Sequence, residues 1–173
     1  MIRHMDARTD AELARALRGG DASAFEAFYD RYHEWVAGLA LRFTANREDA
    51  LDVLQETFIY LFRRSRDFEL RSQMKTFLYP VVKHLSLSRR QTARRQAPLD
   101  PRTDPAAPPV RSAELDSLLV GLSEVQQEVV LLRFVDGLDL QAISDALEVP
   151  LGTVKSRLHS ALDLLRGRTF PNR

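Results

Sequence analysis

Three carboxylates, Asp49, Asp52 and Glu56, fall at positions i, i+3 and i+7 of one short stretch, with Gln55 beside them. On a helix this spacing puts them on one face, where exposed like charges repel by tenths of a kcal/mol per pair and a basic partner relieves them. A second set of chemically able residues lies downstream. Residues 62–95 hold ten basic side chains against two acidic ones, whereas residues 6–60 hold eleven acidic against six basic, so the net charge of +1 conceals a strong segregation. An acidic block beside a basic one implies two different partners, one of them a polyanion.

The third set is "VPLGTVKSRLHSALDLLR", residues 149–166. Stepping about 100° per residue from Val154 gathers Leu158, Ala161, Leu162 and Leu165 on one arc and leaves Gly152, Ser156, His159, Ser160 and Asp163 opposite, with Lys155 on the flank. Pro150 suits a first helical turn, and the small Gly152 and Thr153 let a phosphate approach free backbone N–H groups. Short hydrogen-bonding side chains with cations nearby are what reading base edges in the major groove requires.

Catalysis has no comparable footing. His4, His33, His84 and His159 show no metal-ligand spacing, no glycine-rich phosphate loop is present, and no nucleophile, base and carboxylate fall into a natural set. The absence of cysteine removes thiolate chemistry and disulfides and fits a reducing, cytoplasmic compartment. No apolar run approaches the ~20 residues needed to span a bilayer, and "MIRHMDARTDAEL" lacks the apolar core of a signal peptide, so neither membrane insertion nor secretion is expected. Met5 offers a second start point, and no cofactor is implied.

The elements that position these groups read as all-α. Leu, Ala, Arg and Glu usage favours helix, 45% of residues are hydrophobic, and glycine occurs only seven times. Leu13 and Leu17 mark a helix ending at Gly19-Gly20; Asp21 or Ser23 caps the next, whose Phe25, Phe28, Tyr29, Tyr32, Trp35 and Val36 form a core stripe. A helix over about 47–64 buries Ala50, Leu54, Phe58, Leu61 and Phe62. Another over about 73–95, capped by Ser72, turns Phe77, Leu78, Val81, Val82 and Leu85 inward, and Pro80 predicts a kink or restart within it. The stretch 97–110 carries five of the eight prolines and reads as a linker. Beyond it, four helices over about 113–121, 123–135, 140–147 and 150–166 give helix-turn-helix arithmetic, with Ile143, Ala146 and Leu147 holding the last pair together.

"LSEVQQEVVLLRFVDGLDLQAISDALEVPLGTVKSRLHSALDLLR" strongly resembles the promoter-binding C-terminal domain of bacterial RNA polymerase sigma factors of the extracytoplasmic-function group. "DALDVLQETFIYLFRR" followed by "MKTFLYPVVKHLSLSRR" resembles the other domain of that group, in the same order. The resemblance covers about residues 22–168 and implies two small helical domains, 9–96 and 112–168, joined by the proline-rich linker 97–111. The first would bind core RNA polymerase and the minus-10 element, the second the minus-35 element.

By the same resemblance, Asp49, Asp52, Gln55 and Glu56 would dock on the clamp helices of the polymerase largest subunit. Arg71, Ser72, Lys75, Lys83, His84, Arg89 and Arg90 would hold opened minus-10 DNA, and Phe68, Ser72 and Phe77 are candidates for the pocket that takes an unstacked base, Phe77 reading also as core. Thr153, Lys155, Ser156, Arg157, His159 and Ser160 would read duplex minus-35 DNA, and an anti-sigma factor is an implied partner. The chain departs from the family text "TWLYRIARN…D" at Phe77, Pro80, His84 and Ser88. Two other functions compete with initiation: a free-standing helix-turn-helix regulator, and a sigma-like adaptor in which Pro80 has ended promoter opening.

Overall fold

The computed structural model describes residues 6–96 and 113–169, and within them the secondary structure is helical. The linker 97–111, Met5 and His4 lie outside the described residues. The chain divides into two compact units between Val110 and Arg111.

The first unit contains α1 (Asp10–Arg18), α2 (Ala22–Thr44), α3 (Arg47–Arg63), a single 3-10 turn at Ser65–Asp67, and α4 (Met74–Gln96). Each start has a local cause. Thr9 and Glu12 form a reciprocal capping box on α1, Asp21 accepts from the Ser23 N–H ahead of α2, and Asn46 Oδ1 accepts from the N–H groups of Glu48 and Asp49 at the head of α3. Helices α2, α3 and α4 pack on one another, with α1 laid on α2. Phe28, Val36, Val53, Leu61, Met74, Leu78 and Val82 are all fully buried between them. Burying each such side chain stabilises by roughly 1.5–3 kcal/mol, which is what holds a helix trio together.

Several expectations are corrected here. Helix α4 begins at Met74, with the Gln73 carbonyl accepting from the Thr76 and Phe77 N–H groups, so Ser72 lies in the preceding loop rather than at a cap. Pro80 stands inside a helix that neither stops nor restarts. An interior proline costs roughly 3 kcal/mol, but it lies on the solvent side, while Met74, Leu78, Tyr79 and Val82 bury themselves on either side of it and together outweigh that cost. Phe62 is 60% exposed, with its ring edge-on to Phe25 at 5.4 Å. Of the aromatic stripe on α2, Phe28 and Val36 are buried, Phe25, Tyr32 and Trp35 are half-buried, and Tyr29 is exposed.

The second unit contains α5 (Ala113–Leu119), α6 (Glu124–Phe134), α7 (Leu140–Leu147) and α8 (Leu151–Thr169). Leu119, Leu122, Val130, Leu131 and Ala161 form one apolar cluster, with Leu115, Leu158 and Leu165 packed at its edge. Val129, Leu132, Leu138, Ile143 and Val154 are fully buried. Ser123 and Gln126 build a capping box on α6, and Gly137, at φ 74°, makes the turn that lets Asp139 cap α7.

Candidate nucleic-acid and protein-docking surfaces

In the second unit, the pairing of α7 with α8 is built by backbone chemistry in the turn between them. Glu148 takes the left-handed conformation at φ 53°, and its N–H together with that of Val149 returns to the last carbonyls of α7. The Ser144 hydroxyl then donates to the Val149 carbonyl at 2.6 Å. Pro150 lies immediately before α8 and its carbonyl accepts from the N–H groups of Thr153 and Val154. Val154 and Ala161 are fully buried, while Leu158, Leu162 and Leu165 are half-buried, which places the apolar arc against the rest of the unit.

The opposite side of α8 is open to solvent. Gly152, Lys155, Ser156, His159, Ser160 and Asp163 are all exposed, and Thr153 and Arg157 lie half-buried along the edge. Asp163, in the middle of this face, is flanked by His159 at 3.2 Å and Arg166 at 3.5 Å. A phosphate backbone approaching the face would meet that carboxylate with both side chains beside it.

The first unit brings its predicted residues together in an arrangement that periodicity does not foretell. Asp49 lies in the first turn of α3 beside Glu48, where negative charge complements the helix dipole. Gln55 is exposed. Asp52 and Glu56 are both engaged by Arg89 of α4, whose Nη1 reaches Asp52 Oδ2 at 2.6 Å and whose Nη2 reaches Glu56 Oε1 at 2.5 Å. The hydrogen bond to Glu56, more than any other influence, lifts the Arg89 guanidinium above its already high range. Arg89 therefore faces the acidic row of α3.

Two of the other cations, Lys75 and Lys83, lie beside aromatic rings. The Lys75 ammonium lies 5.5 Å from the Trp35 ring centroid, and that of Lys83 lies 5.9 Å from the Tyr79 ring. Arg71 pairs with Glu69 at 3.1 Å in an exposed loop, and Ser72 follows it, also exposed. His84 and Arg90 line one open depression on α4 with Leu87, Ser88 and Gln91.

The proposed aromatic pocket is occupied by the protein itself. Phe68 is 3% exposed and packs edge-on against Phe28 at 6.2 Å and Phe77 at 4.9 Å, so it belongs to the interior. Phe77 is half-buried between Phe68 and Tyr60. Thr57 is fully buried, its hydroxyl donating to the Val53 carbonyl at 2.7 Å. Sequence reasoning missed Trp35 and Tyr79 as platforms for Lys75 and Lys83. The Tyr79–Lys83 spacing of i, i+4 was the available signal for one; nothing local signals the other.

Among the described residues, no helix is long and apolar enough to cross a membrane. Comparison with known proteins agrees with both halves of the chain. Residues 28–96 match the family model Sigma-70 region 2, and residues 112–165 match Sigma-70, region 4. The ECF RNA polymerase sigma-E factor of Haemophilus influenzae is 27% identical over 94% of this chain and 96% of its own. The ECF RNA polymerase sigma factor SigM of Mycobacterium tuberculosis is 30% identical over 87% of this chain and 79% of its own.

Among solved structures, CnrH in complex with the cytosolic domain of CnrY matches with a TM-score of 0.67 at 21% identity, covering 95% of this chain and 99% of that one. The sigma factor RpoE of Bartonella quintana, in complex with the anti-sigma factor NepR, matches with a TM-score of 0.62 at 18% identity, covering 84% of this chain and 96% of that one. The helix order, the helix-turn-helix and these two regions in sequence lead to one conclusion: the chain belongs to the ECF sigma factors of the sigma-70 family.

Proposed function

We propose that this sigma factor binds core RNA polymerase through the acidic row of α3 and directs initiation at promoters whose two elements are held by separate units. The observation that carries this reading is the exposed polar face of α8, presented by a tight turn from α7 while Val154 and Ala161 on its other side are buried in the core. Lys155 and Arg157 would neutralise phosphates while Thr153, Ser156, His159 and Ser160 meet base edges of the minus-35 duplex. In the first unit, Lys75, Lys83, Arg90, Arg71, Ser72 and His84 would follow the opened minus-10 strand. The Trp35 ring, half-buried, and the Tyr79 ring, buried, would hold the Lys75 and Lys83 ammonium groups in place for phosphates.

Asp49, Asp52, Gln55 and Glu56 would meet the clamp helices of the largest polymerase subunit. RNA synthesis itself would remain the polymerase's chemistry, which places this chain among initiation factors rather than enzymes. The solved relatives in complexes with CnrY and NepR support an anti-sigma factor as a further partner. A cytoplasmic site of action and the linker 97–111 between the two binding units complete the proposal.

Transcription in vitro with purified core polymerase tests it. The expected result is specific initiation from promoters mapped after overexpression of the chain. Duplex binding without core-dependent initiation would indicate a free-standing regulator, and core binding without initiation an adaptor; either outcome overturns the reading.

A further inference from the structure

We propose that Arg89 is an internal competitor for the docking row of α3, occupying Asp52 and Glu56 until polymerase displaces it and returns its guanidinium to the DNA-binding side of α4. The inference rests on the docking role assigned to α3. Arg89 is separated from the two carboxylates by 37 and 33 residues, yet it bridges both, with one nitrogen on each at 2.6 and 2.5 Å. It stands next to Arg90 on the helix that carries Lys75 and Lys83, and its charge belongs in sequence to the basic block. A cationic partner meeting the α3 row must therefore share or take two carboxylates that already hold a cation.

The geometry makes the exchange easy. The Arg89 side chain is 35% exposed and those of Asp52 and Glu56 are 49% and 41% exposed, so a partner reaches the pair without opening the core. Ion pairs this exposed are individually weak, and about thirtyfold in an equilibrium is the most two of them hold back. They are nonetheless directed, since a planar guanidinium spanning an i, i+4 pair of acids fixes both side chains. Released from the pair, Arg89 adds one cation to the helix proposed to follow DNA. Core binding and DNA binding then strengthen each other by the same factor, as linkage requires.

The test uses the full chain as wild type, R89Q and R89K, titrated with core polymerase at about 50 mM salt and again at about 200 mM, where exposed pairs are screened. R89Q is expected to bind core about 3- to 10-fold tighter at low salt, with the gain shrinking at high salt, while R89K stays near wild type. Equal or weaker binding by R89Q makes Arg89 a strut and overturns the inference. Absence of core binding by the wild type overturns the docking role instead.

A second arm needs neither polymerase nor R89Q. D52N/E56Q and E48Q/D49N each remove two negative charges from α3, but only the first frees Arg89. The first is expected to raise the isolated chain's affinity for forked promoter DNA about threefold more than the second, by one added phosphate contact. Equal effects overturn the release of Arg89.

Discussion

The Ser144 hydroxyl donates to the Val149 carbonyl at 2.6 Å and so ties the end of α7 to the residue that leads into α8. Ser144 is 8% exposed, and the hydrogen bond spans a turn that already holds Glu148 in the left-handed conformation without a glycine to ease it. S144A leaves the carbonyl without this donor and is expected to cost the second unit about 1 kcal/mol. Amide hydrogen exchange checks this: protection across α7 and the first turn of α8 should fall about fivefold, with the first unit unchanged.

Lys155 is exposed on the polar face of α8, where it has room to meet a phosphate without displacing any packed group. K155A is expected to weaken minus-35 duplex binding about uniformly across sequences and to reduce the slope of log affinity against log salt by about 1. S156A, by contrast, removes a hydrogen-bonding side chain and no charge, so the salt slope should hold while preference among duplexes relaxes. Fluorescence anisotropy over a salt series separates the two.

These surfaces were legible in the sequence to different degrees, and the differences follow from what periodicity encodes. The α8 face is a local property, since residues 3.6 positions apart share a side whatever lies elsewhere, and the predicted apolar and polar arcs are the ones observed. The row Asp49, Asp52, Glu56 is local in the same way. The Arg89 bridge across it is not: charge composition groups Arg89 with its neighbours on α4, whereas the packing of α4 on α3 decides which of them turns toward the acids. Phe62 shows the reverse error: spacing assigns it to the apolar side, yet at the end of α3 it lies 60% exposed, edge-on to Phe25. Phe68 in its loop has no periodicity at all, and only the aromatic cluster with Phe28 and Phe77 reveals that it belongs inside.

The segment before α1 should be acid-sensitive. Arg8 hydrogen-bonds the Asp6 carboxylate and holds its pKa at about 2 against an ordinary 3.8, while Arg31 donates to the carbonyls of Asp6 and Arg8 at 3.0 and 2.9 Å. A carboxylate with a depressed folded pKa contributes its full stabilisation above the unfolded value and loses it as pH falls toward the folded one. The tether is thus expected to be intact above pH 4 and to loosen between about 4 and 2. D6N should flatten stability in that window. Some slope should remain, because Arg8 also pairs with Asp21 and Thr9 also lowers the Glu12 carboxyl. Proton-detected titration of the Asp6 side chain, with a midpoint near 2, checks the assignment.

Pro80 gives the sharpest stability prediction, because α4 continues through a residue that cannot donate a backbone hydrogen bond. Its ring faces solvent, so P80A removes no packed surface and gives the helix back a donor aimed at the Thr76 carbonyl. The gain of roughly 3 kcal/mol in helix propensity is offset by about 0.4–1 kcal/mol, since alanine leaves the unfolded chain freer. A net stabilisation of about 2 kcal/mol is therefore expected, read as a higher unfolding midpoint of the first unit through the fluorescence of Trp35, the single tryptophan of the chain. If P80A instead leaves the midpoint where it was, the helix already accommodates the ring at no cost, and the burial of Met74, Leu78 and Val82 is not what carries α4 across it.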